Sequence, residues 1–284
     1  YVAGYADGYL DGQTHNGGLG DAFISKFKPD GTKEWTRLFG SSSVDYANAL
    51  TIGSDGSIYI SGRTDIRDDS EVFLSNFNND GTKKWTKYLG SSGWDEGYAL
   101  TTGIDGSIYI AGYAGGDLDG QTSNGGYSDA FISKFSPDGT KEWTRLLGSS
   151  STDFASALTT GSDGSIYIAG TAYGDLDGQS NNGFTDAFIS KFNPDGTKEW
   201  TRLLGTSGQD EGNALTFGSD GSIYIAGTAD GDLDGQSNSG EYDAFISKFN
   251  PDGTKEWTRL LGSSSWDFAS ALTTGSDGSI YIAG

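Results

Sequence analysis

The chain has 284 residues and a formal net charge of −21, from 39 acidic against 18 basic residues. That balance leaves no basic face for nucleic acid and would be repelled by an anionic membrane surface, so the expected partners are cations, neutral ligands or other proteins. There is no Cys, which excludes disulfides, thiolate metal sites and cysteine nucleophiles. With 46 Gly, 4 Pro and 13% aromatic residues, the composition fits an all-β chain with many tight turns rather than a disordered one.

The chain opens at Tyr1-Val2-Ala3-Gly4, which is the inside of a repeat unit, and it contains no Met; a signal peptide would have to stand upstream. A loop over residues 7–20 follows, and then the string DAFISKF at Asp21. That string recurs at Asp129, Asp186 and Asp243, with the variant EVFLSNF at Glu71, at spacings of 50, 58, 57 and 57 residues. Each copy is followed by a DGTKEW-like segment, a G-S-S turn, an A-L-T segment and an SDGSIYIAG-like segment. No apolar run approaches the ~20 residues of a membrane helix.

Each unit therefore offers four short strands rich in Ile, Tyr, Phe, Trp and Thr, punctuated by Gly, Asp and Pro. In the fourth unit the first strand is read over Ala157 to Gly161 and the second over Ser165 to Gly170. The third is DAFISKF at Asp186, and the fourth is KEWTRLLG at Lys198. The second strand is apolar on both faces (Ile166 and Ile168, Tyr167 and Ala169), so it needs packing on both sides. The fourth carries Lys198, Glu199 and Arg202, which suits an outer edge strand. Four strands per unit at this period point to an all-β fold, a β-propeller of four-stranded antiparallel blades in one domain over residues 1–284. A β-solenoid is the runner-up, but its coils are usually shorter.

The run D-A-F-I-S-K-F-N-P-D-G-T-K-E-W-T-R-L-L-G, followed by S-D-G-S-I-Y-I-A-G, resembles the bacterial propeller repeats called SBBP. The resemblance covers essentially the whole chain. It implies the propeller fold and an extracellular or surface-associated setting, and says little about function. The chain begins and ends within the same strand type, so we expect a closed ring of five blades with one strand copy redundant, the alternative being a segment of a longer array.

On one face lie the S-D-G-S and P-D-G-T turns, whose acids (Asp55, Asp138, Asp163, Asp195, Asp220, Asp252) are expected to serve turn geometry. On the other face lie the long connections from second to third strand, and the G-S-S-S-x-D connections ending at Asp45, Asp95, Asp153, Asp210 and Asp267, where Asp is expected to cap backbone. Binding is expected on this elaborated face. Four of its long loops share L-D-G-Q: Leu10–Gln13, Leu118–Gln121, Leu176–Gln179 and Leu233–Gln236. The last reads DGDLDGQSNSGE, with acids at positions 1, 3, 5 and 12 of the window and Gly at 6, the spacing of an EF-hand calcium loop.

Candidate calcium ligands are Asp11, Asp117, Asp119, Asp175, Asp177, Asp230, Asp232, Asp234 and Glu241; the competing reading is a hydrogen-bonded turn without metal. Against calcium, position 8 is Ser237 instead of an apolar residue, and position 12 becomes Gly126 or Phe184 in the third and fourth loops. Candidate glycan or protein contacts are Gln121, Asn124, Gln179, Asn181, Gln236 and Asn238, with Trp94 and Trp266 positioned to stack. The remaining tryptophans (Trp35, Trp85, Trp143, Trp200, Trp257) form a ladder expected to pack between blades.

The single His, His15, sits in a variable loop, so no Ser-His-Asp arrangement recurs. The second unit alone departs from the pattern, with Arg63, Asp65, Arg67, Asp68 and Asp69 and no L-D-G-Q, and it is where an enzyme site would have to be built. We expect a non-enzymatic extracellular interaction scaffold with calcium-ordered loops. The alternatives are a multivalent lectin-like binder and, more remotely, a carboxylate hydrolase or lyase.

Overall fold

A computed structural model describes every residue except His15, Gly18, Arg67 and Asp68, and the side chain of Ile66. The readings on His15, Arg67 and Asp68 therefore fall outside the described residues. The described chain is built of strands alone. The first sheet holds β1 (Val2–Ala6), β2 (Asp21–Phe27) and β3 (Lys33–Phe39). Four complete sheets follow, each with its strands in chain order. They are β4 (Asp45–Ile52), β5 (Ile58–Ile66), β6 (Asp69–Phe77) and β7 (Lys83–Leu89); β8 (Asp95–Thr102), β9 (Ile108–Ala114), β10 (Asp129–Phe135) and β11 (Lys141–Leu147); β12 (Asp153–Thr160), β13 (Ile166–Ala172), β14 (Asp186–Phe192) and β15 (Lys198–Leu204); and β16 (Asp210–Phe217), β17 (Ile223–Ala229), β18 (Asp243–Phe249) and β19 (Lys255–Leu261). The last sheet is β20 (Ala271–Thr274) with β21 (Ile280–Ala283).

All pairings are antiparallel, as four-stranded propeller blades require. The innermost strand starts earlier than its apolar pattern suggests. In β12 it begins at Asp153 and passes a bulge between Ala155 and Ala157, so the capping Asp is the first residue of the strand. Gly170 faces this bulge, where a Cβ would collide with the Phe154 carbonyl, which is why the second strand needs glycine there.

The second strands are sandwiched as their two apolar faces require: Ile166, Tyr167, Ile168 and Ala169 are all buried. One face packs on the preceding blade and the other on the following one, so each apolar cluster bridges two neighbouring sheets. The tryptophan ladder lies at these interfaces. Trp143 Nε1 donates to the Pro194 carbonyl of the next blade's turn and Trp200 Nε1 to that of Pro251, both at 3.2 Å.

The expected closed ring is corrected. The inner strands touch in series, β4 on β8, β8 on β12, β12 on β16 and β16 on β20. The first and last sheets share no comparable contact and no hydrogen-bonded ladder among the described residues. Val2 of the first sheet and Tyr281 of the last are accordingly exposed.

Candidate ligand-binding face

The L-D-G-Q segments fold back against their own blades as two-residue hairpins. In the fourth unit Leu176 N donates to the Gln179 carbonyl at 3.0 Å and Gln179 N to that of Leu176 at 2.9 Å. The central residues have positive φ, 53° at Asp177 and 72° at Gly178, the type I′ geometry for which Asp-Gly is the preferred pair. The same holds at Asp11, Asp119 and Asp234. Leu118, Leu176 and Leu233 plug into the apolar layer between blades.

The turn aspartate then meets the outer strand. Asp177 accepts from Thr201 Oγ1 and pairs with Lys198, while Thr201 Oγ1 lies 2.8 Å from Ser190 Oγ on the neighbouring strand. Asp11 with Thr36 and Lys33, Asp119 with Thr144 and Lys141, and Asp234 with Thr258 and Lys255 repeat this latch. Lys33 and Thr36 together hold the Asp11 carboxyl below its usual range. The sequence reading missed the latch, although Asp-Gly between Leu and Gln is itself a hairpin signal.

The other acids of these loops serve different partners. Asp117 accepts from Ser123 N at 2.9 Å, Asp175 from Asn181 N at 2.9 Å and Asp232 from Asn238 N at 2.8 Å. The Asp230 carbonyl takes the Thr206 hydroxyl at 2.7 Å, and Glu241 accepts from Trp266 Nε1. Three of the four acids at the EF-hand spacing, Asp232, Asp234 and Glu241, thus hold separate partners. Among the described residues no three acidic or histidine side chains converge on one point. In this structure the partners of these carboxylates are backbone N–H groups, lysines and threonines.

Asn181 and Asn238 are likewise spent on loop structure: their side-chain amides donate to the Ala172 and Ala229 carbonyls at 2.9 and 3.2 Å, and their oxygens accept from Gly183 and Gly240. Asn124 donates to Asp129 through backbone and side chain. Gln121, Gln179 and Gln236 close the hairpins through their backbones. Trp94 and Trp266, by contrast, keep more than half of their surface open. Trp94 lies beneath the Arg63 guanidinium at 5.7 Å, and Trp266 joins Tyr242 and Phe268 in a three-ring group.

The turn acids of the opposite face act as expected: Asp163 accepts from Ser165 N and Asp195 from Thr197 N. The capping aspartates also do so, with Ser41, Ser91, Ser149, Thr206 and Ser263 N–H groups donating to Asp45, Asp95, Asp153, Asp210 and Asp267. Parallel bridges such as Thr185↔Gln209 bring Asp210 beside Asp186, and Asp45 beside Asp21. Burial pushes the Asp95, Asp153 and Asp210 carboxyls up to about 6, and the Asp129 and Asp186 carboxylates beside the last two add to this.

The divergent second unit builds a different group. Glu96, nearly buried, accepts from Asn48 Nδ2 at 2.8 Å and from the Tyr98 and Tyr113 hydroxyls, and pairs with Arg63 at 3.3 Å. Arg63 also pairs with Asp65 at 3.1 Å and covers the Tyr46 ring at 4.7 Å. Asp69 accepts from Ser70 N. A carboxylate held by four donors is a structural hub.

The pattern of the SBBP family, described as a beta-propeller repeat, matches residues 34–68, 142–177 and 199–234. A β-propeller domain family of unknown function matches residues 161–199 and 218–256. The regulatory protein FlaEY of Caulobacter vibrioides is 32% identical over 183 residues, which is 59% of this chain and 19% of that protein's length. Among solved structures, the periplasmic gluconolactonase PpgL of Pseudomonas aeruginosa superposes with a TM-score of 0.57 at 12% identity, over 97% of this chain and 74% of that one. The WD40 domain of Neurospora crassa Pan2 gives 0.52 at 10% identity, over 95% and 80%. At these identities the likeness shows the fold alone.

Proposed function

We propose that this chain, a protein built of SBBP-type β-propeller repeats, is a non-enzymatic scaffold that binds a protein ligand on its long-loop face, outside the cell. The observation that carries this reading is a set of apolar side chains standing in solvent at one repeated position, two residues before the third strand. Leu19 is 81% exposed, Tyr127 89% and Phe184 63%. Large apolar groups presented on rigid loops favour an interaction surface over a solvated face. The latches and buried leucines supply the rigidity. The extracellular setting rests on the resemblance of the repeats.

The test combines Leu19→Ser, Tyr127→Ser and Phe184→Ser. Peptides selected from a displayed library on the unmodified chain should lose binding to the triple variant, while its melting temperature stays put. Selected peptides that bind both proteins equally overturn the reading. The lectin-like reading is favoured by the exposure of Trp94 and Trp266 and weakened by the commitment of Asn181 and Asn238 to their loops. Selective binding on a glycan array, lost on Trp94→Ala, would support it instead.

A further inference from the structure

The second blade keeps the receiving half of the latch but lacks the part that fills it. Its β5 and β6 stay paired as far as Ile66↔Asp69, so no L-D-G-Q segment folds back. Yet Ser75 Oγ still lies 2.8 Å from Thr86 Oγ1, as Ser190 does from Thr201. Lys83 occupies the register position that Lys198 holds in the fourth blade, opposite the last Phe of the third strand. Lys198 pairs with Asp177, whereas Lys83 makes no ion pair among the described residues. Phe39, Gly40, Asp45, Phe73, Ser75, Lys83, Thr86 and Tyr88 line a pocket at this place, between the first and second sheets. Phe39 and Phe73 wall it with ring centroids 5.7 Å apart, where Leu147, Leu176 and Phe188 pack together in the fourth blade.

We propose that this pocket is a vacant latch socket that binds an acidic peptide turn of the Asp-Gly type, its carboxylate seated between Lys83 and Thr86; the cavity of about 20 Å³ leaves the turn's preceding aliphatic side chain outside, against its rim. The chain itself supplies the template, because the same donor set holds such a turn in four of its blades. One feature narrows the fit: Phe39 stands where the other sockets have Leu89, Leu147 or Leu204 and takes up part of the space a leucine fills there. The site lies between blades and is independent of the long-loop surface proposed above.

The probe is a labelled peptide of residues 174–181, GDLDGQSN, titrated into the full chain and followed by fluorescence anisotropy. Saturable binding in the millimolar range or tighter is expected. Lys83→Ala should weaken it about tenfold, as loss of a charge-assisted contact does. Phe39→Leu should tighten it by reopening the leucine space. The peptide carrying Asn in place of its second Asp should bind as poorly as the native peptide binds Lys83→Ala. Absence of saturable binding, or equal binding to the unmodified chain, Lys83→Ala and Phe39→Leu, overturns the proposal. Unchanged melting temperatures of the two variants separate lost binding from lost folding.

Discussion

Replacing Asp177 by Ala removes three things that the structure measures separately. Thr201 loses a carboxylate acceptor in a partly buried position, and a hydrogen bond to a charged group is worth about 1.5–3 kcal/mol. Lys198 loses an ion pair whose two side chains are about one-third exposed, worth well under 1 kcal/mol after solvent screening. Ala must also hold a φ of 53°, a left-handed conformation costing about 1 kcal/mol. Together they amount to about 3–4 kcal/mol. Asp177→Asn tolerates the left-handed backbone and keeps an oxygen for Thr201, so it should cost about 1 kcal/mol. Denaturant unfolding of the full chain gives the totals, and hydrogen exchange at the Leu176 and Gln179 amides localises the loss to the hairpin. A cycle with Thr201→Val should show strong coupling, because each change alone breaks the same bond. Additive effects, or a cost for Asp177→Ala no larger than for Asp177→Asn, would refute the latch as the element that holds the loop.

Leu233→Ala should destabilise by about 3 kcal/mol, the cost of an interior cavity, since Leu233 is buried between blades; a denaturant melt checks it. Trp200→Phe should cost about 1 kcal/mol by leaving the Pro251 carbonyl without its donor, measured the same way. Asp153 and Asp210 have folded-state values of about 6 against about 3.9 unfolded, so the native state holds extra protons between these values. Stability therefore falls as pH rises from about 4 to 6, and acidifying from about pH 7 to 5 should raise the melting temperature. Asp153→Asn should flatten part of that rise. Asp177→Asn should leave the difference between melts in calcium and in chelator unchanged, because Lys198 and Thr201 already occupy that carboxylate.

Much of the architecture was legible because each unit repeats one local rule. The doubly apolar Ile166–Ala169 segment demanded packing on both sides, and the charged Lys198–Arg202 segment demanded an edge, which is where β13 and β15 lie. The roles of Asp163 and Asp195 followed from residues two positions away. What could not be read was contact across distance. Nothing in the spacing of DGDLDGQSNSGE tells that Asp234 will meet Lys255, because both calcium ligation and a lysine latch want the same carboxylate. Nor does alternation show that a parallel bridge sets Asp210 beside Asp186. Ring closure depends on the rotations at all the interfaces summed together, and no residue pattern encodes a sum of that kind.

Among the described residues the main contacts between blades join neighbours in series, so the chain behaves as a row of coupled units and its cooperativity is set by its weaker junctions. Among the junctions of the first five sheets, the seam of the second blade is the one with no turn plugged into it. Under tension or mild denaturant the row should part there first, between Gly40 and Gly90, while the three latched blades beyond it remain folded together. A repeat protein whose units are close copies thus carries a built-in fracture line, placed by the one loop that it omits.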